Sequence, residues 1–223
     1  MNDENKRLEI KFKIHKNFQD QILNYIDTYY HLNSPYGDRE VNSIYLDTKN
    51  LYTAQMNLDG LSKRKKLRFR YYGDFFEGEN KEIIFEVKKK DNNFGFKLLK
   101  KINLNTKNLE KISYNLLKKK LLNNLSIINL DSLITSLHVR YERSYYTLIN
   151  DLRVTIDKNI SFSDPQINSF LGDKCFINYD YDIIEIKTGN QIHLKKFLKS
   201  FPLKHSRHSK YLTGLEIIGI ALY

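Results

Sequence analysis

Alternation of apolar and polar residues organises most of this chain. Leu8, Ile10, Phe12 and Ile14 alternate with Glu9, Lys11 and Lys13, a period-two pattern that predicts a strand. The same signature predicts strands over Val41–Asp47, Leu61–Tyr72, Ile83–Lys90 and Phe94–Lys101, the last two joined by a turn at Asp91-Asn92-Asn93. Further strands are expected over Ser136–Thr147 and Leu152–Ile160, joined at Asn150-Asp151, over Asp182–Lys187, and as a short piece over Cys175–Tyr179. Helical spacing marks Asn17–Tyr30 (Phe18, Ile22, Tyr25 and Ile26 on one face) and Gln191–Phe201. It also marks Thr106–Asn124, with Thr106 as N-cap and Leu109, Ile112, Leu116 and Leu117 at helical spacing. A last helix is expected over Ser206–Leu222, and residues 33–40 (NSPYGDRE) read as a turn. No domain boundary or repeat interrupts this order, so residues 1–223 read as one α+β domain dominated by an antiparallel sheet.

The phase of the charges changes this picture. Arg64, Lys66, Arg68 and Arg70 share one strand face, as do Glu86, Lys88 and Lys90. So do Glu9, Lys11 and Lys13, then Arg153, Thr155 and Asp157, then Glu185 and Lys187, while Arg143 is in phase with Tyr141 and Tyr145. For a single strand, a solvated outer face explains such a pattern. Over the whole set, roughly a dozen Lys and Arg stand against only four carboxylates, and like charges on adjacent strands repel. Closing the strands into a barrel with this face inward creates a cage for a polyanion. Arg suits bidentate contact with phosphate and Lys supplies a point charge. Glu9, Glu86, Asp157 and Glu185 come from separate strands and suit a hard divalent cation; the competing reading for each is an internal ion pair with a neighbouring Lys or Arg.

Composition agrees. The 37 Lys and Arg exceed the 26 Asp and Glu, a net charge of +11 that calls for a polyanionic partner. Sixteen Tyr and 13 Phe exclude a disordered chain. The single Cys175 excludes a disulfide framework and reads as a buried small hydrophobe. The start lacks the apolar stretch of a signal peptide and no run spans a membrane, so a cytoplasmic location is expected. The six histidines, His138, His205 and His208 among them, show no zinc-ligand context and read as surface or phosphate-proximal residues.

The segments RLEIKFKI, VNSIYLDT, RKKLRFR, IFEVKKK, YERSYY, RVTID, IEIK and HSKYLTG occur in this order. Together they resemble the catalytic domain of the vacuolar transporter chaperone (VTC) polyphosphate polymerases, within the triphosphate tunnel metalloenzyme superfamily that includes the CYTH domains. The resemblance runs from about Arg7 to the last helix. It implies a closed antiparallel β-barrel, a tunnel of about eight strands with flanking helices. It also implies transfer of the terminal phosphoryl group of ATP to inorganic polyphosphate with Mn2+ or Mg2+.

Carried over by motif, the phosphate-binding bases are Lys11, Arg68, Arg70, Lys88, Arg143 and Lys210, with Ser209 beside the last and Lys187 on the IEIK strand. Arg64 and Lys66 are further candidates and Glu185 is the metal carboxylate; the charge phase alone adds Lys90 and Arg153 as substrate contacts and Glu9, Glu86 and Asp157 as metal candidates. A base after the FEVKKK strand is also expected, and Lys97 and Lys100 both qualify. The hydrolase branch opens with Glu-x-Glu-x-Lys where this sequence has Arg7-Leu-Glu-Ile-Lys, a change that leans toward the polymerase branch. This sequence contains no phosphate-sensing or membrane domain, so any membrane coupling is expected to come from a partner protein. A hydrolase of tripolyphosphate or nucleoside triphosphates, and a non-catalytic polyphosphate or RNA binder stacking bases on Phe69, Tyr71 and Tyr72, are the competing readings.

Overall fold

The computed structural model describes residues 8–92, 94–125, 130, 132–148, 152–173 and 175–222. Arg7 and the Asn150-Asp151 turn lie outside the described residues. The order of elements is β1 (Leu8–His15), α1 (Gln19–Tyr30), β2 (Asn33–Asp47), α2 (Tyr52–Leu58), β3 (Lys63–Tyr72), β4 (Asn80–Asp91) and β5 (Phe94–Asn105). Then come β6 (Ile112–Ser113), α3 (Tyr114–Asn123), β7 (Ile134–Thr147), β8 (Arg153–Ser163), β9 (Phe170–Leu171), β10 (Ile177–Asn178), β11 (Tyr181–Thr188), α4 (Gln191–Ser200) and α5 (Lys210–Ile217). The result is an α+β fold built on a large antiparallel sheet with a few helices.

The chain divides into two compact units. The first comprises Met1–Arg39, Tyr141–Ile160 and Asn178–Ser209, the second Glu40–Arg140, Ser161–Ile177 and Lys210–Tyr223. In the first, β1 pairs antiparallel with β11, and β11 with β8. Alternation puts Phe12, Ile14, Val154, Ile156, Ile184 and Ile186 on one face, where they pack with Ile22 and Ile26 of α1 and Leu194 and Phe197 of α4. In the second, β2–β3, β3–β4 and β4–β5 are antiparallel. Ile44, Leu67, Phe69, Phe85, Ile83 and Ile102 form its core with Leu117 and Leu121 of α3.

Four elements depart from the sequence reading. Residues 33–40 are not a turn but the exposed first half of β2, invisible to periodicity because neither face is buried. The mid-chain helix begins at Tyr114, not Thr106: Thr106 is buried with its hydroxyl on the Gly78 carbonyl, and Ser113 supplies the cap by accepting from Leu116 N–H. The last helix is shorter, Lys210–Ile217, and ends ahead of Gly219, whose φ is +84°. The short helix α2 carries no clear apolar stripe; buried Asp47 holds it, accepting from the N–H groups of Thr53 and Ala54 at 2.9 Å each. Two single residues also differ: Cys175 is exposed, and Phe18, 54% exposed, ends a 3-10 turn (Lys16–Phe18) ahead of α1 instead of joining the helix's apolar face.

Candidate functional site

In the second unit the charged face of the sheet centres on one carboxylate. Register sets Arg68 opposite Glu86 and Lys66 opposite Lys88 across β3–β4, and Lys88 opposite Lys97 across β4–β5. Glu86 is 3% exposed and receives Arg68 at 2.6 Å, Lys97 at 3.4 Å and Arg70 at 3.5 Å. Burial alone would raise its pKa, but Arg68, Arg70 and Lys97 outweigh this and hold it at about 2. One carboxylate facing three cations leaves an excess of positive charge. The face grades from buried at Arg70 to exposed at Lys88 and Lys90. Arg64 donates to the carbonyls of Leu61 at 2.7 Å and Gly60 at 3.3 Å.

Sequence reasoning missed the support beneath these arginines. Tyr45, opposite Arg68 in register, accepts from its guanidinium at 3.1 Å. Tyr45 stacks on Tyr211 of α5 with ring centroids 4.6 Å apart. Tyr211 in turn donates to buried Asp47 at 2.7 Å. The available signal was parity: Ser43, Tyr45 and Asp47 share a face of VNSIYLD. Burial works to raise the Tyr45 pKa, yet Arg68, Arg70 and Lys210, the first residue of α5, lower it. Arg70 Nε and Ser43 Oγ, adjacent in register, are buried and find no hydrogen-bond partner among the described residues. That pair of open positions suits a further acceptor oxygen.

In the first unit Lys11 Nζ lies 3.1 Å from Glu9 and 3.5 Å from Glu185. Lys187 pairs with Glu185 and stands 3.8 Å from Glu9. Burial would raise the Glu185 pKa, but Lys11 and Lys187 pull it down to about 2. For Lys11, burial lowers the pKa and the two carboxylates outweigh it. Arg143 grips fully buried Asp157 bidentately, Nε to Oδ1 at 2.5 Å and Nη2 to Oδ2 at 2.8 Å. Thr155, opposite Glu185, has a buried hydroxyl with no partner among the described residues. Arg153 is exposed opposite Lys187, and Ser209 is half-buried at the end of this unit.

Several expected residues part company with the clusters. Of the two bases weighed after the FEVKKK strand, Lys97 joins the charged face. Lys100 lies on the opposite face, opposite Phe85 in register, and donates to the Leu125 carbonyl at 2.9 Å. His138 is not at the surface: it is 2% exposed, with its ring nitrogens on Tyr114 at 2.7 Å and Asn42 at 3.0 Å. Asp157 and Glu86 form the internal ion pairs weighed against metal ligation. No group of three His, Cys, Asp or Glu among the described residues lies close enough to hold a metal ion. Glu9 and Glu185 are the carboxylates that fit one. Lys11 and Lys187 each lie within 4 Å of both, so a cation already occupies the space between them, and the open Thr155 hydroxyl lies alongside. Two carboxylates with substrate oxygens would complete the shell of a hard ion.

The fold recurs in solved structures. The Hippeastrum protein HpAC1, in which a triphosphatase activity dominates, superposes with a TM-score of 0.52 at 14% identity over 94% of this chain and 95% of its own. PH1819 of Pyrococcus horikoshii gives 0.51 at 15% identity over 94% and 99% of the two chains. A Bacillus halodurans protein with a proposed adenylate cyclase assignment gives 0.51 at 16% identity over 91% and 93%. No curated protein matches the sequence. The VTC domain profile matches residues 6–218, nearly the whole chain, and the chain therefore belongs to the VTC domain family.

Proposed function

We propose that this protein transfers phosphoryl groups on triphosphates and polyphosphate, building polyphosphate from ATP inside a closed β tunnel with a divalent metal. The observation that carries this reading is the buried Glu86 surrounded by Arg68, Arg70 and Lys97, next to the open Arg70 Nε and Ser43 Oγ. Such an excess of cations around one buried carboxylate is relieved by phosphate oxygens. Membership of the VTC domain family supports the same substrate class.

Phosphoryl transfer asks mainly for positioning and charge neutralisation. In the second unit Arg68, Arg70 and Lys88 hold phosphate oxygens of the triphosphate, and in the first unit Arg143 is a further phosphate-binding base. Lys11 and Lys210 hold the acceptor or the emerging product, Lys187 adds a catalytic charge, and Ser209, Arg64, Lys66, Lys90, Lys97 and Arg153 are further contacts. Glu185 and Glu9 would hold the metal, which when bound would supply charge neutralisation at phosphate oxygens. The acceptor's terminal oxygen is already anionic, so no strong general base is needed. Tyr45 fixes the guanidinium of Arg68.

Incubation with ATP and Mn2+ tests this reading. Long-chain polyphosphate supports it. Orthophosphate alone makes the protein a hydrolase of the same fold, as is the Hippeastrum protein with its dominant triphosphatase activity. No turnover at all, with metal-independent binding, makes it a binder. Arg68→Ala and Glu185→Ala should each abolish turnover, at about 2–4 kcal/mol of transition-state stabilisation; unchanged rates in both refute the assignment.

A further inference from the structure

The second unit carries a separate cavity of about 370 Å³ that the phosphate chemistry does not use. It lies on the opposite side of its strands from the arginines: Tyr71 and Asn42 line it, and they alternate with Arg70 and Ser43 on β3 and β2. Its base is aromatic. The His138 ring sits 5.8 Å from Tyr114 and 5.1 Å from Phe176, and Phe75 packs edge-on against Tyr71 at 5.1 Å. Its rim is acidic: Glu40, Asp74, Glu110 and Asp173 outnumber Arg140 among the described lining residues, and Asp173 also pairs with Lys111 at 2.8 Å, which leaves the rim a net negative charge. In a chain of net charge +11 this is a local reversal of sign.

The titratable groups at the base do not cancel that sign. Burial and then Arg140 push the His138 pKa down to about 3, so the imidazole is neutral. Burial raises the pKa of Tyr71, helped by Glu40 and Asp74 among its neighbours, and that of Tyr114, helped by Asp173. Both phenols remain uncharged. The walls already accept a cation, since the Arg140 guanidinium lies 4.3 Å from the Phe176 ring centroid. The close walls depend on Gly172, with φ +108°, where a Cβ would stand 3.2 Å from the Phe76 ring and 3.3 Å from the Glu110 carbonyl.

We infer that this cavity binds a small organic cation, an alkylammonium or polyamine, with its charged nitrogens at the carboxylate rim and its apolar body against the aromatic base. Cation–π attraction and the rim carboxylates act together, and phosphate anions are repelled. A volume of about 370 Å³ admits a small molecule and no folded segment.

The test is titration of the full-length protein with spermidine, free of phosphate and nucleotide, followed by calorimetry and by NMR of the aromatic resonances. Saturable one-to-one binding below about 1 mM is expected, with shifts confined to Tyr71, Tyr114, His138 and Phe176. Asp74→Asn and Glu110→Gln, both on exposed side chains, should each weaken it by about three- to fivefold. Glu82→Gln, an exposed carboxylate of the same unit paired with Lys101, should leave it unchanged. Absence of saturation, equal affinity in Asp74→Asn and Glu110→Gln, or an equal loss in Glu82→Gln each overturns the assignment. Polyphosphate synthesis plays no part in this measurement, so its presence or absence leaves the outcome readable.

Discussion

Replacing Glu86 by Gln removes the one negative charge among Arg68, Arg70 and Lys97 while keeping the shape of the side chain. Its carboxyl, normally near 4.5, is held at about 2 in the folded protein. At about 1.4 kcal/mol per decade, that gap makes ionised Glu86 worth about 3 kcal/mol of stability. The side chain is 3% exposed, so solvent screens little of this. The sign follows from a depressed acid: the contribution is fully present above pH 4.5 and is lost as pH falls toward 2. Guanidinium unfolding at pH 7 should therefore show Glu86→Gln less stable by about 3 kcal/mol, with the gap shrinking to about 1 kcal/mol at pH 3. Glu185 titrates in the same window but is present in both proteins, so the difference isolates Glu86. Tripolyphosphate should stabilise the variant more than the parent, because phosphate oxygens replace the missing charge. Equal stability at pH 7, or a gap of the same size at both pH values, refutes the reasoning.

Arg143→Ala strands the fully buried Asp157 carboxylate and should cost about 3–5 kcal/mol in chemical denaturation, whereas Arg143→Lys should recover part of it. Asp182, 3% exposed, has its pKa raised by burial to about 6; stability therefore falls as pH rises from about 4 to 6, and Asp182→Asn should raise the thermal midpoint at pH 7.5 and leave it unchanged at pH 4. Gly214→Ala would place a Cβ 2.5 Å from both Leu137 and Phe162 and should lower stability by about 1–3 kcal/mol in urea unfolding. Tyr211→Phe leaves Asp47 and Ser136 short of a hydroxyl and should cost about 1–3 kcal/mol, with a weaker grip on triphosphate through Tyr45.

Strand parity was legible in the sequence wherever one face is apolar. Lys11 faces Glu185, and Arg68 faces Glu86, as alternation requires, and the expected strands other than β2 begin and end within a few residues of their expected bounds. The first half of β2 escaped because it has no buried face, and α2 because a side chain outside it, Asp47, holds it in place. Thr106 misled as a cap since its hydroxyl serves a tertiary contact with Gly78. At the site, parity separates Lys97 from Lys100 only once the β4–β5 register is known. The stack of Tyr211 on Tyr45 joins residues far apart in sequence, and no local pattern announces it.

The bond from Tyr211 to Asp47 spans 164 residues. A ribosome adding about 5–20 residues per second takes roughly ten to thirty seconds to cover that distance. Until then the nascent β2 carries Asp47 without its last donor and Tyr45 without its stacking partner. The hydroxyl that anchors Arg68 is thus seated last, so a growing chain would hold its strands well before it could hold that guanidinium in place.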